Sequence, residues 1–269
     1  MAGFTLNTKG NIQYYTIDSF SDTNMVKHCF STRKGGVSSG IYESMNLKPD
    51  CDDKLENVIE NFRIICDAID VDYKNLVFSN QVHDDKIYVV TKSDIGKGLT
   101  RKSDIIGMDA LICAEPNIPI TTAYADCVPL FFLDKKKRVM ALAHSGWKGT
   151  VKRIGQKTVA KMQSEFGCAK ENILAAIGPS IGVCHFEVGD EVAEIFINEF
   201  GESVAEKFGE KYHVNLQKSI KMQFDEIGIP KENVTCADIC TYCNKDLLFS
   251  HRATNGKRGG LAAIMQLCE

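Results

Sequence analysis

Two apolar runs, VPLFFL at 128–133 and VMALA at 139–143, stand on either side of the charged stretch DKKKR, with Cys127 just before the first and His144 just after the second. Runs of this length bounded by a charged turn read as buried strands of one hairpin. A two-residue turn at Lys135 and Lys136 would set Asp134 against Lys137 and, further along the ladder, Cys127 against His144. Directly opposed side chains have Cβ atoms about 4.5–5.5 Å apart, so thiol and imidazole would share one small volume. A slip of one residue would turn one of them to the other face. Pro129 has no N–H to give and is best tolerated near a strand start, where this reading puts it.

The rest of the chain follows the same grammar. Loose alternation over 11–31 leads to a strand at 26–30. Leu55, Val58, Ile59, Phe62, Ile65 and Ile69 fall at helical spacing within 53–69. Strands at 76–78 and 87–90 flank NQVHDD, where strand geometry would put Gln81 and His83 on one face and Asp84–Asp85 would mark the turn. Strands at 108–113 and 118–124 lead into the hairpin. Beyond His144, Val151, Ile154, Val159, Met162 and Phe166 define one amphipathic helix closed by Gly167, and its N-terminus can seat a phosphate. A strand at 173–177, helices at 190–200 and 215–227, and strands at 234–239, 247–250 and 260–267 complete the pattern. MQSEFGCAKENI (162–173) and MQFDEIGIPKENV (222–234) echo each other, each a helix end, a turn and a buried strand. Strands mixed with helices, without strict βαβ alternation and without a linker, predict one α+β (mixed α/β) domain over residues 1–269.

Composition narrows the partners. At 269 residues, 44% hydrophobic and 25% charged, the chain can bury roughly three quarters of its unfolded surface without staples. A net charge of −3 gives no bias toward nucleic acid or a membrane surface, which leaves a small substrate as the expectation. The N-terminus lacks a leader pattern and no apolar window is long enough to span a bilayer, so a cytoplasmic location is expected. Eleven cysteines, an odd number, then read as reduced thiols or metal ligands.

Histidines occur at 28, 83, 144, 185, 213 and 251. A multinuclear blue-copper oxidase needs more imidazoles, and needs them clustered. The H-x-E with P-C-x-x-C pattern of zinc deaminases is absent. The C-x-x-C at Cys240 and Cys243, with Cys236 nearby, lacks a second pair at similar spacing and reads as buried small residues. What remains is His83, Cys127 and His144, each at a strand end. Two imidazoles and one thiolate leave the open fourth position of a catalytic zinc, which holds S and N ligand atoms roughly 3.5 Å apart. Cys127 and His144 can equally serve as nucleophile and base of a metal-free cysteine hydrolase or deamidase, and a non-catalytic zinc-binding protein is a third reading. The Arg33 loop, STRKGGVSSG, can cradle an anion or be a solvated turn.

The blocks STRKGGVSSG (31–40), SMNL (44–47), NQVH (80–83), ADCVPL (125–130), AHSGWKGT (143–150), IGPSIGVCHFEVG (177–189) and DICTYC with LFSHR (238–252) resemble, in order and over nearly the whole chain, those of the laccase-domain or multicopper polyphenol oxidase (YfiH-type) family. The resemblance implies mixed β-sheets packed as a sandwich with flanking helices, and a Zn2+ held by His83, Cys127 and His144. It implies purine nucleoside phosphorylase activity on adenosine, inosine, guanosine and methylthioadenosine, with adenosine deaminase activity beside it. Arg33, Asn46, Gln81, Lys148 and Arg252 are the candidate phosphate or substrate contacts in these blocks. The chain departs from the usual pattern at Ser145, often Ala, at Lys148, commonly Arg, and at Cys184-His185-Phe186, commonly Cys-Cys-Tyr.

Overall fold

Strand Val128–Asp134 and its hairpin partner Val139–Ser145 are buried along their whole length. In the computed structural model, which describes residues 3–269, alternate residues of both strands enter different cores. Phe131, Leu133, Met140 and Leu142 face one cluster, while Val128, Leu130, Phe132, Val139, Ala141 and Ala143 face another. A strand apolar on both faces belongs inside a sheet that is covered on both sides. The hairpin accordingly lies at the centre of a six-stranded sheet that runs, edge to edge, Val234–Cys236, Ile173–Ile177, Val128–Asp134, Val139–Ser145, Ala110–Cys113 and Ile87–Val90.

A second six-stranded sheet covers one face of the first. Its order is Phe4–Lys9, Ile12–Ile17, Val26–Ser31, Leu261–Leu267, Ile120–Tyr124 and Val77–Phe78. Tyr15, Ile17, Phe30, Ala263 and Met265 from this sheet meet Phe131, Leu133, Met140 and Leu142 in the shared core. Helices Ile154–Phe166, Asp190–Phe200 and Leu216–Ile227 cover the other face of the hairpin sheet. Helix Leu55–Ala68 lays Val58, Phe62 and Ile65 against Cys29, Ala262 and Ile264 on the far side of the second sheet. Both large sheets contain parallel and antiparallel pairs. The expected mixed sandwich with flanking helices is thus the observed architecture. Among the described residues, no helix is long and apolar enough to cross a membrane.

The internal echo is a repeat in space. Helix Ile154–Phe166 ends at Gly167 (φ +64°) and helix Leu216–Ile227 at Gly228 (φ +73°). Each leads through a short 3-10 turn, Lys170–Asn172 or Lys231–Asn233, into strands that pair in parallel, Ala175 beside Val234.

Several expectations are corrected. The hairpin closes with Asp134 opposite Val139, so Pro129, not Cys127, lies opposite His144. Asp134 Oδ1 accepts the N–H groups of Lys136 and Lys137 at 2.8 and 2.9 Å, and Arg138 takes a left-handed conformation, which makes a longer turn than Lys135–Lys136 alone. The shift is by two residues, so Cys127 and His144 keep the same facing. The helix after His144 is two helices, Trp147–Val151 and Ile154–Phe166, broken where Arg153 is left-handed. Residues 80–86 form a loop, with His83 at φ +62°, rather than a strand face shared with Gln81. Residues 247–250 form turns closed on Asn244, with Leu248 and Phe249 buried as plugs; a short apolar run does not by itself specify a strand. The strand expected at 234–239 stops at Cys236. Edge strand Phe4–Lys9 and the small sheet Glu187–Val188, Lys211–Val214 and Ala205–Phe208 carried too little apolar alternation to be foreseen. The C-x-x-C residues are not buried: Cys243 is exposed, and Cys240 and Cys236 are half-buried.

Candidate metal centre

His144, next to last in its strand, has its ring buried and Nδ1 held 2.7 Å from Asp109 Oδ1. Asp109 is fully buried one residue before strand Ala110–Cys113. Its carboxylate also accepts, at 3.0 Å each, the N–H groups of Val82, His83 and Asp84. Three successive N–H groups converging on one anion fix this loop, and the left-handed backbone at His83 lets them converge. One carboxylate therefore positions both histidines, and it leaves Nε2 of His144 free to ligate.

Cys127 follows Asp126, whose φ is +87°. The Asp126 carboxylate accepts Thr241 Oγ1 at 2.6 Å and the Arg252 N–H at 2.7 Å, and its carbonyl accepts the Ile181 N–H at 2.8 Å. These bonds hold the strained turn that delivers the thiol. One ligand atom from each of His83, Cys127 and His144 lies within 4.8 Å of the others, and the two imidazole rings stand edge to face with centroids 4.7 Å apart. Gly146 closes the space: a Cβ there would come 3.1 Å from His83 Cδ2 and 3.2 Å from Cys127 Sγ.

The electrostatics suit a cation. Burial opposes ionisation of Cys127, but the His144 and His83 imidazoles beside it outweigh that and bring the thiol down to about 6. Burial likewise opposes a charge on His144, but the Cys127 thiolate and the Asp109 carboxylate raise it to about 9. Both shifts favour a thiolate beside a charged imidazole, and a metal ion would compete with the proton they share. Two imidazoles and a thiolate, with an oriented second partner and one free position, fit the donor set of an open tetrahedral site.

The trio lies in the wall of a cleft of about 540 Å³. Phe78, Ile105, Ile106 and Tyr124 give it apolar surface; Ser79, Asn80, Gln81, Lys48 and Arg258 give it polar groups. Among the described residues the buried side-chain N and O atoms without a hydrogen-bond partner are Ser79 Oγ and Arg258 Nε, and both residues line this cleft.

A family model described as multi-copper polyphenol oxidoreductase laccase matches residues 27–268. The chain belongs to this family. A purine nucleoside phosphorylase of Bacteroides thetaiotaomicron is 35% identical to it, over 96% of each chain. The purine nucleoside phosphorylase YlmD of Bacillus subtilis is 31% identical, over 99% of this chain and 98% of the relative. The crystal structure of the hypothetical protein YfiH of Bacillus licheniformis superposes with a TM-score of 0.91 at 28% identity, covering 97% of this chain and 98% of that one.

Within this laccase-type chain the structure brings His83, Cys127 and His144 together and sets Gln81 on the cleft wall, its amide clamped to the backbone of Ala123. The other sequence candidates do not line the cleft. Arg33 directs its guanidinium to the carbonyls of Glu43 and Lys245 and stacks over Phe249, beside a separate cavity of about 360 Å³. Asn46 is buried and ties Asp53 and Cys51 to the N–H groups of Lys48 and Gly260. Lys148 is exposed over Trp147, and Arg252 bonds the His185 carbonyl. Sequence reasoning missed Asp109, Ser79, Gly146 and Arg258. Asp109 alone carried a visible signal, a carboxylate inside the apolar run MDALIC.

Proposed function

We propose that the protein is a zinc-dependent purine nucleoside phosphorylase that also deaminates adenosine, and not a copper laccase. The observation that carries this reading is an open His2Cys donor set standing in the wall of a cleft lined by both apolar and polar side chains. The names of relatives at 31–35% identity support the reaction class. Zinc bound at His83, Cys127 and His144 would supply Lewis-acid polarisation in the cleft.

The chain's own residues supply the rest. Phe78 and Ile105 offer the purine a flat apolar wall, and Ser79 and Asn80 add polar groups beside it. Arg258, in the same wall and bonded through one guanidinium nitrogen to the Gly259 carbonyl, supplies the positive charge that suits a phosphate. In phosphorolysis a phosphate oxygen attacks C1′ of the ribose, the C–N bond to the base breaks, and the base leaves with the electron pair and takes up a proton. Asp109 keeps the Nδ1 proton on His144 and so fixes its tautomer through the cycle. A histidine supply of six and a three-donor centre are too small for a multicopper cluster.

The second reading, a metal-free thiol hydrolase, is favoured by the line Cys127, His144, Asp109, which is also that of a nucleophile, its base and an orienting carboxylate. One experiment separates them. Purified protein, with and without chelator and with Cys127→Ala as control, is assayed for hypoxanthine release from inosine and for ammonia release from adenosine. Hypoxanthine release that needs both phosphate and metal is expected. Full activity of zinc-free protein, abolished by iodoacetamide, would establish the thiol enzyme instead.

A further inference from the structure

The C-x-x-C that the nucleoside chemistry leaves unused does not stand alone. Two irregular segments, one around 180–186 and the other around 238–252, run side by side: the Ser180 N–H bonds the Ile239 carbonyl at 3.1 Å, and the Thr241 N–H bonds the Ser180 carbonyl at 3.0 Å. Their contact brings Cys184, His185, Cys240 and Cys243 together, with one ligand atom of each within 4.8 Å of all the others.

The separations are those of tetrahedral coordination. Zinc with S at about 2.3 Å and N at about 2.0–2.1 Å spaces sulfur from sulfur by roughly 3.8 Å and sulfur from nitrogen by roughly 3.5 Å. Here Cys184 Sγ and Cys243 Sγ are 3.7 Å apart, and His185 Nδ1 lies 3.2, 3.4 and 4.0 Å from the sulfurs of Cys184, Cys243 and Cys240. We infer that Cys184, His185, Cys240 and Cys243 bind a structural zinc ion, a second site separate from His83, Cys127 and His144.

The surroundings are built for it. The His185 ring stacks on Tyr242 with centroids 3.9 Å apart and planes 17° apart, which aims Nδ1 at the three sulfurs. The Gly182 N–H donates to Cys240 Sγ at 3.2 Å, a bond that a thiolate strengthens. A Cβ on Gly182 would stand 3.1 Å from Cys240 Cβ and 3.2 Å from Cys184 Sγ, tight enough to press on two of the proposed ligands. Four protein donors leave no open position, and that is the closed, structural form of a zinc site. The site clamps a segment without strands or helices, and that segment supplies the Thr241 and Arg252 bonds to Asp126, next to Cys127. The four residues therefore act as positioning residues for the thiol ligand through Asp126.

Metal counting by mass spectrometry on reduced, zinc-reconstituted protein tests the assignment. Wild type should carry two equivalents, Cys127→Ala one, Cys243→Ser one, and the double variant none. Cobalt in Cys127→Ala should show the intense sulfur-to-metal absorption of a three-thiolate tetrahedral site. That variant isolates the second site, so the result stands whether or not the protein cleaves nucleosides. As a check that needs no variant, the exposed thiols of Cys184 and Cys243 should resist a thiol reagent in zinc-loaded wild type and react once chelator is added. A folded Cys127→Ala protein that takes up no metal, or zinc-loaded wild type whose exposed thiols react as fast as in chelated protein, overturns the inference. Formation of a Cys184–Cys243 disulfide in air, with no metal uptake after reduction, overturns it equally.

Discussion

Asp109→Asn should separate the architecture of the metal centre from simple stability. The Asp109 carboxylate accepts four hydrogen bonds, from His144 Nδ1 and the N–H groups of Val82, His83 and Asp84. An amide keeps one acceptor oxygen. If that oxygen faces His144 and His83, the new NH2 group meets the N–H groups of Val82 and Asp84, donor against donor. Two bonds to a charged acceptor are then lost, each worth about 1.5–3 kcal/mol, which predicts a destabilisation of about 3–6 kcal/mol. His144 also loses the anion that orients it, and loss of such a partner costs roughly 10–100-fold in metal affinity.

Asp94→Asn is the matching control. Asp94 is equally buried and accepts the Thr91 N–H, Thr91 Oγ1, Tyr88 OH and Lys97 Nζ, but it bonds neither His83 nor His144. Urea titration should show both variants weakened, whereas competition with a chromophoric chelator should show lowered zinc affinity only for Asp109→Asn. Unchanged zinc affinity in a folded Asp109→Asn protein would refute the claim that this carboxylate positions the ligands. Equal loss of affinity in both variants would reduce the effect to general destabilisation.

Three further outcomes follow from the same geometry. Gly146 has φ −69° and ψ 175°, which alanine adopts freely, so Gly146→Ala should leave the melting temperature nearly unchanged while the added methyl, about 3 Å from two ligands, lowers turnover by roughly 100-fold. Arg258→Met should raise the KM for phosphate at least about tenfold with little change in thermal stability, because it removes a buried Nε that has no partner along with a single bond to the Gly259 carbonyl; an unchanged phosphate KM would move the anion site elsewhere. His28 is buried with Nε2 accepting the Ile17 N–H at 2.8 Å, and burial holds its protonation down to about 4. The unfolded chain takes up that proton near 6.5, so stability is intact above this pH and falls by about 3 kcal/mol as pH drops toward 4. His28→Gln, which keeps an acceptor and does not titrate, should flatten that part of the stability profile measured by urea denaturation.

The sequence disclosed most of the sandwich because its central strands are apolar on both faces and its helices carry regular stripes. The hairpin turn was misjudged because Asp134 makes the turn with its side chain, whereas its lysines looked like the loop. The three proposed ligands were legible through their blocks, yet what aligns them was not: Asp109 acts through backbone N–H groups of a loop remote in sequence, and Arg258 matters only through what surrounds it. The second cluster was missed for a similar reason. A C-x-x-C was weighed against other pairs of cysteines at like spacing, while its partners are adjacent residues, one of them a histidine, on a separate loop.

Two buried carboxylates fix the backbone on which the three proposed ligands stand. Asp109 fixes the loop of His83 and the ring of His144; Asp126 fixes the turn that precedes Cys127. Each spends its acceptors on groups that would otherwise be unsatisfied in a dry interior, so these bonds set where the three donors stand. A metal ion bound at His83, Cys127 and His144 would then add stability in proportion to its affinity and concentration. The Cys184, His185, Cys240 and Cys243 cluster differs, because its ligands sit on segments without ladder hydrogen bonds beyond the Ser180 contact. There the proposed ion would supply more of the order, as in small zinc modules. Chelation should therefore loosen 238–252 first, which limited proteolysis can read, and through Asp126 that loosening reaches Cys127.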